Sequence, residues 1–335
     1  MCLGAHSLRA QSATVPQGYM NFTIAAGSLG TPAVTTFSLP LSAPVPGNFT
    51  GQASGSISSV TATTITNSAA GWSAGALSQV ASPYFIRITT GQAAGRTLLI
   101  STTAGQLNTA TTVTVDNQGT PLDGLGIIAG DKYELFPGYT LQSVFGSSVL
   151  GGATASVADV VRLHNGTGWV EYFYNSTAGQ WRQGSIPVSQ SNVALRPDSG
   201  IIFYRRGSTP IVLTLTGKVP STDLQVVMNE VGTAFVAGFP FGSTLDGTDY
   251  KSMPGWVNNT GSITDADKLT AFVAGSWNSY NFNQAASQWR NGSIPVNQGP
   301  VITIVSGNPV IVESPTGVPG LKIWRRALPY SLSAN

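Results

Sequence analysis

Few side chains able to act as nucleophile, base or acid occur in this chain of 335 residues, and their spacing gives them little to work with. The histidines are His6 and His164, the one cysteine is Cys2, and 14 carboxylates are spread along the length. A Ser-His-Asp relay would have to be centred on His164. Glycoside hydrolysis needs two carboxylates flanking the scissile bond, and the nearest pairs are Asp246 with Asp249 and Asp265 with Asp267. The first pair sits in the turn-like string LDGTDY. The second precedes KLT, where acids suit the start of a short helix from about Thr264. A single cysteine leaves no intrachain disulfide and no cysteine-built zinc site. The string GQAAGRT (Gly91–Thr97) looks like a phosphate cradle, but TLLISTT follows it and reads as strand, so a hairpin turn is expected. The chain offers no catalytic residue, no metal site and no cofactor motif, and the expectation is a protein that is not an enzyme.

What the chain repeats is not acid–base chemistry. QWRQGSIPVSQ (Gln180–Gln190) and QWRNGSIPVNQ (Gln288–Gln298) agree at nine of eleven positions. The same offset of 108 sets Asp159 on Asp267, Trp169 on Trp277, Tyr172 on Tyr280, Trp181 on Trp289 and His164 on Phe272. Because the histidine is not repeated, a duplicated catalytic unit is not supported. The four aromatics Trp169, Tyr172, Trp277 and Tyr280 fit cross-strand packing, in which aromatic pairs contribute about 0.2–1 kcal/mol each. The alternative is a surface on which sugar rings stack. The arginine after each Trp could stack on an aromatic ring or pair with a carboxylate.

The elements that must position these residues are strands. Glycine (39) and proline (20) interrupt the chain often, and helical periodicity is nearly absent. Alternation is frequent instead: Met20, Phe22 and Ile24 against Asn21 and Thr23; Val113 with Val115; Ile211, Leu213 and Leu215 against Val212, Thr214 and Thr216. DNQG, PDSG and SGNP supply turns. The expected fold is all-β, with antiparallel β-sandwich or jelly-roll-like domains, an internal duplication and an N-terminal extension strand. A short helix is expected near Thr140 in YTLQSVFG.

Charged residues make up 9% of the chain and the formal net charge is +2. That excludes the clustered basic surface needed for nucleic acid. No apolar run is long enough for a transmembrane helix. The first residues end in a small-x-small pattern (Ala10–Ala13), like the tail of a secretory leader. Six N-x-[ST] sequons, at Asn21, Asn48, Asn165, Asn175, Asn258 and Asn291, compare with about four expected by chance.

GYMNFTIAAG, PYFIRITTGQAAGRTLLIST, IIAGDKYELFPGYTLQSVFG, the paired Trp-Arg units and ALPYSL together resemble a family of uncharacterised secreted proteins of Verrucomicrobia-type bacteria. The resemblance implies a secreted all-β protein, extracellular or at the cell surface, and no activity. Nearly uncharged proteins of this kind are also similar to subunits of extracellular filaments built by donor-strand complementation. The expected division is a leader remnant (1–13), an extension with a candidate donor strand (14–48), a β domain (49–138), and a β domain (139–335) holding two related units (159–220 and 267–319). In this reading Tyr19, Met20, Phe22 and Ile24 form the donor strand, which enters a groove in a neighbouring copy of the chain, giving a homopolymer. The same segment could instead be the first strand of its own domain. A second functional expectation is a secreted or cell-surface adhesive protein that binds glycans through the four aromatics.

Overall fold

The computed structural model describes residues 17–117, 119–166, 168–228, 232–238, 241–315, 322–326 and 328. The leader-like stretch, with Cys2 and His6, lies outside them. The chain enters through β1 (Gln17–Ile24) and β2 (Ala33–Ser38). It then runs through β3 (Ser54–Ser56), β4 (Ser59–Val60), β5 (Thr64–Thr66), β6 (Ser78–Gln79), β7 (Ser82–Ile88), β8 (Thr97–Ile100), β9 (Thr112–Asp116) and β10 (Lys132–Pro137). After β11 (Tyr139–Thr140) and helix α1 (Leu141–Phe145) come β12 (Val160–His164), β13 (Trp169–Asn175), β14 (Gln180–Gln183), β15 (Ala194–Leu195), β16 (Gly200–Arg205) and β17 (Ile211–Lys218). The last stretch holds β18 (Leu224–Met228), β19 (Thr233–Val236), β20 (Ser243–Thr244), β21 (Lys268–Val273), β22 (Ser276–Asn283), β23 (Gln288–Asn291), β24 (Thr303–Ile304), β25 (Val310–Glu313) and β26 (Lys322–Arg326). The fold is nearly all β, in several antiparallel sheets consistent with a sandwich.

Strand order exposes a duplication larger than the matching strings. One five-stranded sheet runs β14-β13-β12-β16-β2 and another runs β23-β22-β21-β25-β19. The ribbon β1-β17 has its counterpart in β18-β26, and the short pair β11-β15 in β20-β24. Each unit therefore has the same strands in the same chain order, and β3 to β10 interrupt the first unit between its second and third strands. The segment expected to be an extension supplies β1 and β2 of that first unit. Sequence similarity fades there because a strand pair needs only alternation to dock, not particular residues.

Burial divides along the same lines. One core holds Ile57, Ile65, Trp72, Leu77, Ile86, Ile88, Leu98 and Leu135, all from the interrupting region. A second joins Phe22, Ile24, Phe37 and Leu41 to Leu141, Phe145, Val161, Trp181 and Phe203. A third holds Val226, Tyr250, Leu269, Trp289, Val312 and Trp324. The interrupting region is tied to the others by specific contacts. Glu134 on β10 pairs with Arg87 at 3.1 Å and with Lys218 on β17. Burial would raise the Glu134 pKa, but these two cations prevail and hold it below the usual carboxylate range. The turn after β7 docks on β18, where Gln225 N–H donates to Gly95 O. Gly95 has φ +91° and lies so close to Asp223 O that a Cβ would sit 2.1 Å from it.

Helix α1 forms where expected. Thr140 Oγ1 accepts from Ser143 N–H, and Ser143 Oγ accepts from Thr140 N–H, a reciprocal cap. Leu141 and Phe145 are its buried face. No helix forms at Thr264. Asp267 is instead drawn into the third core, and β21 starts at the next residue. Among the described residues no helix is long and apolar enough to cross a membrane.

Candidate functional site

The first ribbon is built by plain alternation. β1 pairs with β17 along its whole length, from Gln17 opposite Lys218 to Ile24 opposite Ile211. Phe22 and Ile24 turn inward and are buried, Met20 is half-buried, and Tyr19 on the other face is 73% exposed. Of the four candidate donor residues, three therefore point into the groove and Tyr19 points away. The Phe22 ring lies 5.2 Å from that of Phe37. Each fully buried apolar side chain contributes about 1.5–3 kcal/mol. From the second unit, the turn at Gly307 closes over Met20 and Phe22; a Cβ there would come within 2.7 Å of the Phe22 ring. Ser38 Oγ donates to Gly307 O at 2.7 Å and holds that turn in place.

Here β1 docks in its own chain, the alternative that the sequence left open. Its connection to β2, residues 25–32, is largely exposed and is anchored by Gly27 N–H to Gly207 O at 2.9 Å. The counterpart strand β18 follows a shorter connection, 219–223.

The four aromatics do not form one platform. Trp169 and Tyr172 are three residues apart on a strand, so they face opposite sides of β13. Tyr172 and Tyr280 are core residues, 8% and 2% exposed, and burial raises both phenol pKa values. Trp169 is 37% exposed and packs edge-on against His164 and Phe235, with ring centroids 5.1 Å apart in each case. Trp277 packs against Phe272 at 5.2 Å. Strand periodicity alone would have separated each Trp from its Tyr.

The acid–base candidates are separated as well. His164 Nδ1 accepts from Gly166 N–H, and neither a serine nor a carboxylate among the described residues bonds to it. Burial lowers its pKa. The string GWSAG (Gly71–Gly75) has the sequence form of a nucleophile elbow. No helix follows it, and Ser73 Oγ is hydrogen-bonded to Thr50 Oγ1 at 2.8 Å. Asp246 pairs with Lys251 at 3.0 Å, while Asp249 sits at φ +58° between two 3-10 turns. Asp265 is exposed whereas Asp267 is fully buried against Lys322 at 2.7 Å. The Arg96 side chain of GQAAGRT is buried, and burial pulls its pKa down to about 10 against the opposing pull of Asp198. The turn is the expected hairpin between β7 and β8. Of the sequons, Asn175 is buried and holds its own turn through Ala178 N–H. Arg182 and Arg290, which follow the repeated Trp residues, make neither an ion pair nor a cation–π contact among the described residues.

A cavity of about 210 Å³ lies where β12, β13 and β16 meet the interrupting region, lined by Leu99, Asp116, His164, Asn165, Val170, Tyr172 and Arg196. Among the described residues no three His, Cys, Asp or Glu side chains gather as metal ligands. Compared with known proteins, the chain matches no family model, no curated protein and no solved structure.

Proposed function

We propose that the protein is a non-enzymatic extracellular structural subunit that assembles head to tail by exchanging β1 between copies. The observation that supports this is the docking of β1. All its ladder partners lie on one strand, β17, and two of its side chains fill a groove that a second copy of β1 fills equally well. Exchange retains every contact inside the groove. It requires release of the bonds that fold the 25–32 connection back, such as Gly27 to Gly207, each worth about 0.5–1.5 kcal/mol net. A head-to-tail contact of this kind does not close on itself and generates a fibre. A chain with 9% charged residues and a net charge of +2 adds little repulsion between subunits.

The test is a chain lacking residues up to Ala26, examined by negative-stain microscopy and offered a peptide spanning 17–26. The expected outcome is no filaments and saturable binding of the peptide. A truncated chain that still polymerises would sink the proposal.

Glycan binding is the second reading, now favoured only by the cavity that Tyr172 lines with Asp116, His164, Asn165 and Arg196. Titration of monosaccharides followed by NMR tests it: shifts confined to these residues support it, and no shifts at millimolar sugar reject it.

A further inference from the structure

The duplication gives the molecule an internal control, because what one unit has and the other lacks is not required by their shared fold. Around the cavity of about 210 Å³ the first unit carries polar groups that are absent from its twin. His164 corresponds to Phe272. In the short strand pairs Leu195 corresponds to Ile304, so Arg196 and Asp198 correspond to Val305 and Gly307. Asp116 comes from β9, in the region that interrupts the first unit alone.

Docking of the interrupting region accounts for part of this set. Arg196 Nε and Nη2 donate to the Asp198 carboxylate at 3.1 and 3.2 Å, and Nη2 also donates to Thr97 O on β8 at 3.2 Å. Those contacts use two of the three guanidinium nitrogens. The third, Nη1, stands 3.6 Å from Asp116 Oδ2, beyond hydrogen-bond length. The Arg196 side chain is 12% exposed and that of Asp116 is 53% exposed, so a cation held fast in the wall faces a carboxylate open to solvent. The rest of the lining is largely aliphatic, with Leu99, Leu163, Val170, Val193 and Ile201. Burial lowers the His164 pKa, so that ring is neutral at pH 7 and the charges of Arg196 and Asp116 balance.

We infer that this cavity binds a free α-amino acid with an apolar side chain. The two charges of such a zwitterion sit on one carbon, close enough together to enter the loose Arg196–Asp116 pair. The carboxylate accepts from Arg196 Nη1 and the ammonium donates to Asp116, each in a charge-assisted hydrogen bond. The side chain then lies on the aliphatic wall. A lone anion or cation would satisfy one wall charge and crowd the other. A sugar ring would set hydroxyls against five aliphatic side chains that offer them no partner. The volume lies below the roughly 300–1,000 Å³ of sites for drug-sized ligands, which suits one amino acid and not a peptide. No lining residue belongs to β1 or β17, so this binding is independent of strand exchange.

Equilibrium dialysis of the full chain tests this with labelled L-leucine, with 4-methylpentanoate, which lacks the ammonium, and with glucose. The expected result is saturable retention of leucine. Binding should be weaker by about tenfold or more for 4-methylpentanoate, and for leucine on the Asp116→Asn chain. Val170→Phe, which fills the cavity from β13, should abolish it. Asp116→Asn, at a half-exposed side chain, is the variant that disturbs the fold least. No retention of leucine at millimolar concentration overturns the inference, and so does leucine binding that both changes leave intact. Retention of glucose without leucine also overturns it and supports the glycan reading of the same cavity.

Discussion

The two units solve one problem with different residues. Each buries an aspartate with no exposed surface, Asp159 or Asp267, and uses it to hold an incoming loop. Asp159 accepts from Leu150 N–H at 2.7 Å, and Asp267 from Val257 N–H at 2.7 Å. The cations differ. Asp159 pairs with Arg205 at the end of β16 and also accepts from Arg206 N–H at 2.6 Å and Gly207 N–H at 3.3 Å. In the second unit the strand register puts Ser314 where Arg205 stands in the first, and the cation is Lys322 of β26, with Nζ 2.7 and 2.8 Å from the two carboxylate oxygens. The fold retains the buried carboxylate and its loop contact, while the compensating charge has moved to another strand. A buried anion must be paired, but nothing requires the partner to come from a particular place.

Removing the cation should separate the units most sharply. Lys322→Met leaves Asp267 with Val257 N–H as its remaining partner among those described here, and should cost about 3–5 kcal/mol. Arg205→Met leaves Asp159 three backbone donors and should cost less, about 1–3 kcal/mol. Urea unfolding of the two variants checks the order, and equal losses would break the comparison. A smaller effect is expected at the equivalent tryptophans. Trp181 Nε1–H donates to Gly146 O at 3.2 Å, whereas Trp289 Nε1–H has no acceptor among the described residues. Replacement by Phe should therefore cost about 1 kcal/mol more at 181 than at 289, measured by the same unfolding curves.

The smallest difference is a pH effect. His164 matches Phe272, and burial puts its folded pKa below the ordinary value of 6.5. The unfolded chain then binds more protons in that window, so the contribution of His164 is fully present above pH 6.5 and falls as the pH drops toward the folded pKa. His164→Phe, which copies the second unit, should flatten the melting temperature between pH 7 and pH 5. An unchanged slope would mean that His164 does not set it.

Much of this was legible where the determinants are local. The alternation of Met20, Phe22 and Ile24 gives the inward face of β1, and Thr140 gives the cap of α1, because each depends on residues a few positions away. The offset of 108 even places the two buried aspartates in register. What escaped depends on distant partners. Asp267 was expected at a helix start because its neighbours are acids and a threonine, and the residue that decides otherwise is Lys322, 55 positions on. β1 and β2 belong with strands beyond β10, a pairing that no local pattern announces. That Trp169 and Tyr172 lie on opposite sides of β13 was available from the sequence, because positions 169 and 172 cannot share a strand face.

The docking of β1 carries the functional account, and a chain in which β1 is locked to β17 by Asn21→Cys and Thr214→Cys, with Cys2→Ser, addresses it directly. Asn21 and Thr214 are register partners whose side chains meet at 2.8 Å, so cysteines there can be joined within one chain at high dilution before assembly. The protein is then concentrated and viewed by negative-stain microscopy, oxidised and after reduction. Strand exchange predicts no filaments while the bond holds and regular filaments once it is reduced. Filaments of the same kind from the oxidised chain would contradict it.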